Sequence, residues 1–178
     1  MRLKEAEKQQ LGQIESLYLS AFPAAERVPF ALLQEKREEG SVRIFAVESD
    51  EGDFNGMAIT MESEDMALLG YFAISSGRRG GGIGSAAFRQ LKDLFADKRF
   101  FLEVESTSVE SENAREREER KIFYYRNGME ESSLTVLLKG VEMDILTRSC
   151  RSSYEDYRRF YISLYGEEIK DKIQLIHE

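Results

Sequence analysis

One short stretch of the chain has the composition of an anion site. Gly77, Arg78, Arg79, Gly80, Gly81, Gly82 and Gly84 follow closely on an apolar run, residues 66–74, and four of the glycines fall within five positions. Glycine tolerates positive φ and carries no Cβ, so such a loop can present its backbone N–H groups to a ligand without side chains in the way. Residues 82–96 then place Ala86, Leu91, Leu94 and Phe95 near one helical face, with Ala87 and Phe88 beside them. The helix therefore starts at the loop. Unpaired N–H groups, the positive end of a helix dipole and two arginines together suit a phosphate or pyrophosphate. A flexible turn with solvated arginines is the alternative.

Spacing narrows the ligand. A Walker loop needs Lys and then Ser or Thr after its last glycine, and Gly84 is followed by Ser85 and Ala86. Gly82, Gly84 and Ala87 satisfy G-x-G-x-x-A, and Glu103 lies 21 residues after Gly82, which keeps a dinucleotide site open. In that fingerprint, however, the glycines follow the strand at once, whereas seven residues separate Ile74 from Gly82. A second cluster lies downstream. Phe100, Leu102 and Val104 alternate with Phe101, Glu103 and Glu105, so a strand here puts both carboxylates on one face. Such a pair near an anion loop is where acid–base chemistry is expected, an exposed sheet face being the plainer explanation.

The segment Arg79-Gly80-Gly81-Gly82-Ile83-Gly84 resembles the acyl-CoA loop of the GNAT superfamily of N-acyltransferases, R/Q-x-x-G-x-G/A, and stands five residues after the strand-end Ile74 as it does there. Ser76 occupies a position where that family usually has proline. Further on, Phe123-Tyr124-Tyr125-Arg126-Asn127-Gly128-Met129 is similar to the family's F-Y-x-x-x-G-F. The resemblance makes Tyr124 the general acid. On its own, a tyrosine on an apolar face near a helix end is ordinarily core packing. Asn and Ala often precede this motif three residues apart; Arg117 and Arg120 stand there instead.

The resemblance implies an α/β fold: a central, mostly antiparallel sheet with a splayed parallel strand pair, flanked by helices. It covers residues 1–147, leaving 148–178 as a C-terminal helical extension packed on that domain. It also implies acetyl-CoA as co-substrate, without a metal, and a small-molecule or peptide amine as acceptor. Arg79 and the amides from Gly80 through Gly81, Gly82 and Ile83 to Gly84 would hold the pyrophosphate, and Arg78 a further phosphate. Ile74 would pair with the pantetheine arm, and the N–H near Phe72 would polarise the thioester carbonyl. Glu103 is the first candidate for the base and Glu105 the second. Phe22, Glu26, Arg27 and Phe30, at a corner between two helices, become candidate acceptor-pocket residues, although a corner with solvated charges explains them equally. Two other classes stay open: an acyl-CoA-binding regulatory protein without turnover, and a dinucleotide-binding module.

Leu11, Ile14, Leu17, Tyr18 and Ala21 recur at helical spacing until Phe22-Pro23, and a second helix runs from Pro29 to Gly40. Residues 42–47 and 54–61 form a hairpin across 49–53, and 62–65 turn into the strand before the loop. Three successive antiparallel strands suit the acyltransferase better than a dinucleotide fold, which needs helical crossovers there. Residues 106–121 read as a charged helix continuing through Tyr125 to a stop at Asn127-Gly128, and 134–138 and 142–146 as two strands around Gly140. Tyr154, Tyr157, Phe160, Tyr161, Leu164 and Tyr165 make an aromatic helical stripe, either core, a homodimer seam or a wall of the acceptor site.

Composition sets the outer bounds. The 178 residues, 42% apolar and 33% charged, suit one globular domain. The net charge of −8 argues against a nucleic-acid surface and permits steering of a cationic substrate, solubility being the plainer explanation. A lone cysteine, Cys150, leaves no internal disulfide, the N-terminus lacks a signal-peptide core, and no stretch approaches membrane-spanning length. The cytoplasm is the expected location, with no membrane partner. His177, the single histidine, lacks partners for a metal site.

Overall fold

The computed structural model describes residues 1–148 and 153–178. Cys150, behind the disulfide argument, lies outside the described residues. Contacts group the chain into two units, residues 1–62 with 69–96, and residues 63–68 with 97–178.

In the first unit, β1 (Arg2–Glu5) precedes α1 (Leu11–Ala21), α2 (Phe30–Glu38), β2 (Val42–Glu48), β3 (Phe54–Glu62), the greater part of β4 (Met66–Ile74) and α3 (Ile83–Leu94), in the strand order β1-β2-β3-β4. α1 buries Ile14 and Tyr18 and stops where expected: Phe22, ahead of Pro23, is extended at φ −124°, ψ 137°. β1 pairs antiparallel with β2, Leu3 opposite Val47. Four residues with one apolar side chain carry no periodicity, which is why this strand escapes a pattern reading. β2 and β3 pair antiparallel from Val42↔Met61 to Val47↔Gly56, with a bulge at Val47/Glu48. Gly56 is there for space: a Cβ on it would lie 2.4 Å from the Ala73 carbonyl oxygen of β4.

The corner between α1 and α2 is tied to β4 through Tyr71. Its hydroxyl donates to the Glu26 carbonyl at 3.0 Å and accepts from the Val28 N–H at 3.1 Å, while the Tyr18 hydroxyl donates to the Val28 carbonyl at 2.8 Å. The Tyr18 and Tyr71 rings meet edge to face at 4.8 Å.

In the second unit, the start of β4 lies beside β5 (Arg99–Glu105), followed by α4 (Ala114–Arg126), β6 (Glu130–Leu138), β7 (Val141–Thr147), α5 (Tyr154–Tyr165) and β8 (Ile173–His177), in the order β4-β5-β7-β6-β8. β4 and β5 run parallel, the other neighbours antiparallel, so the fold is the mixed α/β type expected. Glu103 faces Ile145 across the β5–β7 ladder, and Glu105 faces Met143. Phe100, Phe101, Leu102, Val104, Ile145, Tyr157 and Phe160 form much of this unit's core.

Two segments depart from the pattern reading. Helix α4 begins at Ala114 rather than near 106, because a serine side chain serves the backbone first: the Ser108 N–H donates to Ser106 Oγ at 3.3 Å, while the Ser108 hydroxyl donates to the Glu142 carboxylate at 3.0 Å. The C-terminal residues 173–177 form β8 on the edge of β6, with Ile173 opposite Leu138. Its outer positions are exposed, so no alternating burial marks it in the sequence.

Candidate active site

The glycine loop has the geometry its composition requires. Ser76–Arg78 form a single 3-10 turn, and Gly80 and Gly82 adopt φ of 90° and 75°, so the chain turns twice through the left-handed region before α3. Gly82 caps that helix without a side-chain bond, and its carbonyl takes the first intrahelical bond, from the Ala86 N–H at 3.0 Å. The amides of Ile83, Gly84 and Ser85 therefore have no acceptor within the helix. A Cβ built on Gly80, Gly81 or Gly82 would meet no atom within 4 Å. The loop thus forms an open backbone cradle at the positive end of a 12-residue helix, which suits an anionic ligand.

Side chains around the cradle are only lightly held. Arg79 folds back so that Nε donates to the Ile74 carbonyl at 3.1 Å, bringing two of the expected site residues together. Arg78 reaches Asp53 at 3.4 Å, both side chains more than half exposed, an ion pair weak enough to exchange for a phosphate. Phe72 sets its ring 6.1 Å from Phe88, linking β4 to α3. At the α1–α2 corner, Phe22 and Phe30 pack around Tyr18 and the Arg27 guanidinium donates to the Leu19 carbonyl.

In the second unit the two glutamates of β5 meet different surroundings. Glu103 Oε1 accepts from the hydroxyls of both Tyr157 and Tyr161, each at 2.6 Å. Burial raises its pKa, the two phenols and the more distant Lys139 opposing the shift in part. Glu105, 7% exposed, is paired with Arg117 at 2.6 Å through Oε1 and with Arg120 at 3.3 Å through Oε2. Asn113 adds a longer bond to Oε2. Arg117 and Arg120 are thus both turned onto one carboxylate. Tyr124, also buried, has its ring 5.3 Å from Phe123. Burial pushes its phenol up to about 12, with Arg120 pulling slightly the other way.

The family model described as acetyltransferase (GNAT) family matches residues 11–118, more than half of the chain and all of the cradle. The chain belongs to the GNAT acetyltransferases. Solved structures of this family share its fold. A Bacteroides thetaiotaomicron protein assigned to the GNAT acetyltransferases superposes with a TM-score of 0.75 at 19% identity, covering 96% of this chain and 99% of its own. The spermidine N-acetyltransferase of Vibrio cholerae, in complex with CoA and spermine, gives 0.65 at 16% identity, covering 83% and 95%. No curated protein sequence matches the chain. Among the described residues no helix is long and apolar enough to cross a membrane, and no group of three or more His, Cys, Asp or Glu could hold a metal ion.

The GNAT match ends before Tyr124 and α5. The aromatic stripe of α5, which the spacing leaves open as core, a homodimer seam or a wall of the acceptor site, is buried at Tyr157, Phe160 and Tyr161, and its hydroxyl contacts with Glu103 are not visible to a pattern reading. The available signal was chemical: Tyr157 and Tyr161 lie one helical turn apart, and a buried phenol seeks an acceptor.

Proposed function

We propose that this GNAT protein transfers the acetyl group of acetyl-CoA to a primary amine of a small molecule or peptide by direct attack. The open cradle at Gly80, Gly81 and Gly82 carries the proposal, since bare amides at a helix N-terminus suit the pyrophosphate of the donor. Arg79 and the amides from Gly80 to Gly84 hold that group, Arg78 a further phosphate, and Ile74 the pantetheine arm. A backbone N–H near Phe72 polarises the thioester carbonyl as charge develops on its oxygen.

An alkylammonium of pKa about 10.4 has roughly 1 molecule in 2,500 neutral at pH 7, so attack needs a base. Glu103 takes this role, directly or through water. Both oxygens of Glu105 are already engaged by arginine, which supports the choice. A phenol near 12 is a weaker acid than a thiol of about 8.5. Tyr124 therefore assists the departing sulfur chiefly as a hydrogen-bond donor, the new ammonium supplying the proton overall.

Thermal unfolding with acetyl-CoA, CoA, NAD and ATP tests the donor site, because a ligand at 100 times its dissociation constant adds about 2.7 kcal/mol. Stabilisation by acetyl-CoA and CoA, followed by thiol release on adding an amine, is the expected result. Spermidine is the first acceptor to try, given the Vibrio cholerae enzyme. Stabilisation by CoA without thiol release across a broad amine panel would favour an acyl-CoA-binding role, and stabilisation by NAD alone would overturn the proposal.

A further inference from the structure

Helix α5 lies outside the matched family region, yet it is fastened to both β5 and β8. Ser153 and Asp156 close a capping box at its N-terminus, and Asp156 accepts from Arg99 of β5 at 2.8 Å. Phe160 packs edge to face on Phe101 at 5.2 Å, and the Tyr154 hydroxyl donates to the Ile173 carbonyl at 2.9 Å. A helix so fixed presents Tyr157 and Tyr161 with a set register, and both hydroxyls converge on Oε1 of Glu103. Their 2.6 Å separations lie in the range of O–H donors to an ionised carboxylate. The other oxygen, Oε2, accepts from no described residue, and Glu103 retains partial exposure.

This asymmetry separates Glu103 from its neighbour. Glu105, two residues on, has a cationic donor on each oxygen, as a carboxylate committed to packing should. Glu103 is held by one oxygen and open at the other. We propose that Tyr157 and Tyr161 are positioning residues for Glu103, fixing Oε1 so that Oε2 takes the proton of the acceptor amine, and that α5 is thereby a working part of the acetyl-transfer site. The inference rests on the reading of Glu103 as base.

Few other charges compete at this carboxyl. α5 offers phenols, Tyr154 lying beyond Tyr157, and β7 places Ile145 opposite. The turn after β6 contributes Lys139, and α4 contributes Arg117 and Arg120, both paired with Glu105. Each phenol favours the ionised form, so its loss moves titration of Glu103 to higher pH.

The test uses the full chain with Tyr157→Phe, Tyr161→Phe and the double variant, which keep the rings and remove only the donors. Two readouts run in parallel: the pH profile of kcat/KM for acetyl transfer to spermidine, or n-propylamine if spermidine is not accepted, and carboxyl 13C NMR titration of glutamate-labelled protein, the Glu103 line assigned with Glu103→Gln. The expected result is that the acid limb and the Glu103 line move upward together by about one pH unit per phenol, a tenfold loss of ionised base on the acid side. Should either tyrosine variant fail to fold, the other decides. A Glu103 line that stays put while the wild type turns over would overturn the positioning role and leave acetyl transfer standing. If the line moves and the acid limb does not, the anchor is structural and the role is again overturned. Absence of thiol release from the wild type with every amine overturns the acetyl-transfer reading, and with it the catalytic use of the anchor, whether or not the NMR line moves.

Discussion

The cradle can be tested with four glycine-to-alanine substitutions that separate backbone strain from ligand approach. At Gly81 the backbone is outside the left-handed region and an added Cβ touches no atom within 4 Å. Alanine there costs the fold nothing and can add about 0.4–1 kcal/mol by restricting the unfolded chain. If the loop holds the pyrophosphate as proposed, the same methyl obstructs the approach of an oxygen to the amide, and losing one charge-assisted bond of about 1.5–3 kcal/mol weakens CoA binding roughly ten- to hundredfold. Gly82 lies at φ 75° with the same open space, so alanine there adds a left-handed penalty of about 1–2 kcal/mol to the binding loss. Gly52, at φ 95° in the turn between β2 and β3, carries the strain without the ligand, and Gly77, with neither feature, is the control. Thermal unfolding without ligand and calorimetric titration with CoA read the two effects apart. Gly81→Ala binding CoA with wild-type affinity would refute the assignment of this loop to the pyrophosphate, whatever the other three variants did.

Three further outcomes follow from the second unit. Tyr124→Phe should lower kcat about a hundredfold at unchanged CoA affinity, and turnover unaltered across pH would remove Tyr124 from the chemistry. Glu105→Gln strips the counter-charge from Arg117, whose side chain is only 13% exposed, and should cost about 2–3 kcal/mol in thermal unfolding while CoA binding holds; an unchanged melting temperature would show the pair to be energetically idle. Arg99 holds the carboxyls of Asp65 and Asp156 below the usual range. Their folded pKa values lie below the unfolded ones, so the stabilisation is complete above about pH 4 and is lost as pH falls through the lowered values. Arg99→Gln should flatten that acid dependence, and a melting profile between pH 2 and 7 parallel to the wild type's would contradict it.

What could be read from the sequence divides along physical lines. The hairpin of β2 and β3, the strand ending at Ile74 and the glycine loop were legible because each rests on local rules: alternation, turn residues and the conformational range of glycine. The edge strands β1 and β8 were not, since their stability comes from a ladder with a distant partner and their outer residues face solvent. The serine-rich stretch before α4 carries a helical charge pattern, yet its hydroxyls compete for backbone donors and keep it out of the helix. At the site, residue types were legible and partners were not. Nothing local tells that Arg117 and Arg120 turn to Glu105, or that the stripe on α5 delivers two hydroxyls to Glu103.

Those partners give the two carboxylates of β5 different chemistry although they share a strand, a face and a residue type. Cations beside Glu105 offset its charge and fill both its oxygens, and the carboxylate is the counter-charge of a nearly buried guanidinium. Neutral phenols beside Glu103 orient it without cancelling its charge, and burial raises its affinity for a proton. A base working near neutral pH gains from that rise, because transfer from an alkylammonium becomes less uphill as the two proton affinities approach one another. The phenols set the limit on the rise by stabilising the anion. With both removed, Glu103 would hold its proton over more of the working range and fewer molecules would carry a competent base. With a cation in their place, Glu103 would stay ionised but gain little basicity. A carboxylate bonded by two uncharged donors on one oxygen lies between these extremes, and on that ground Glu103 rather than Glu105 is the residue whose replacement by glutamine should abolish the pH-dependent step while leaving CoA binding intact.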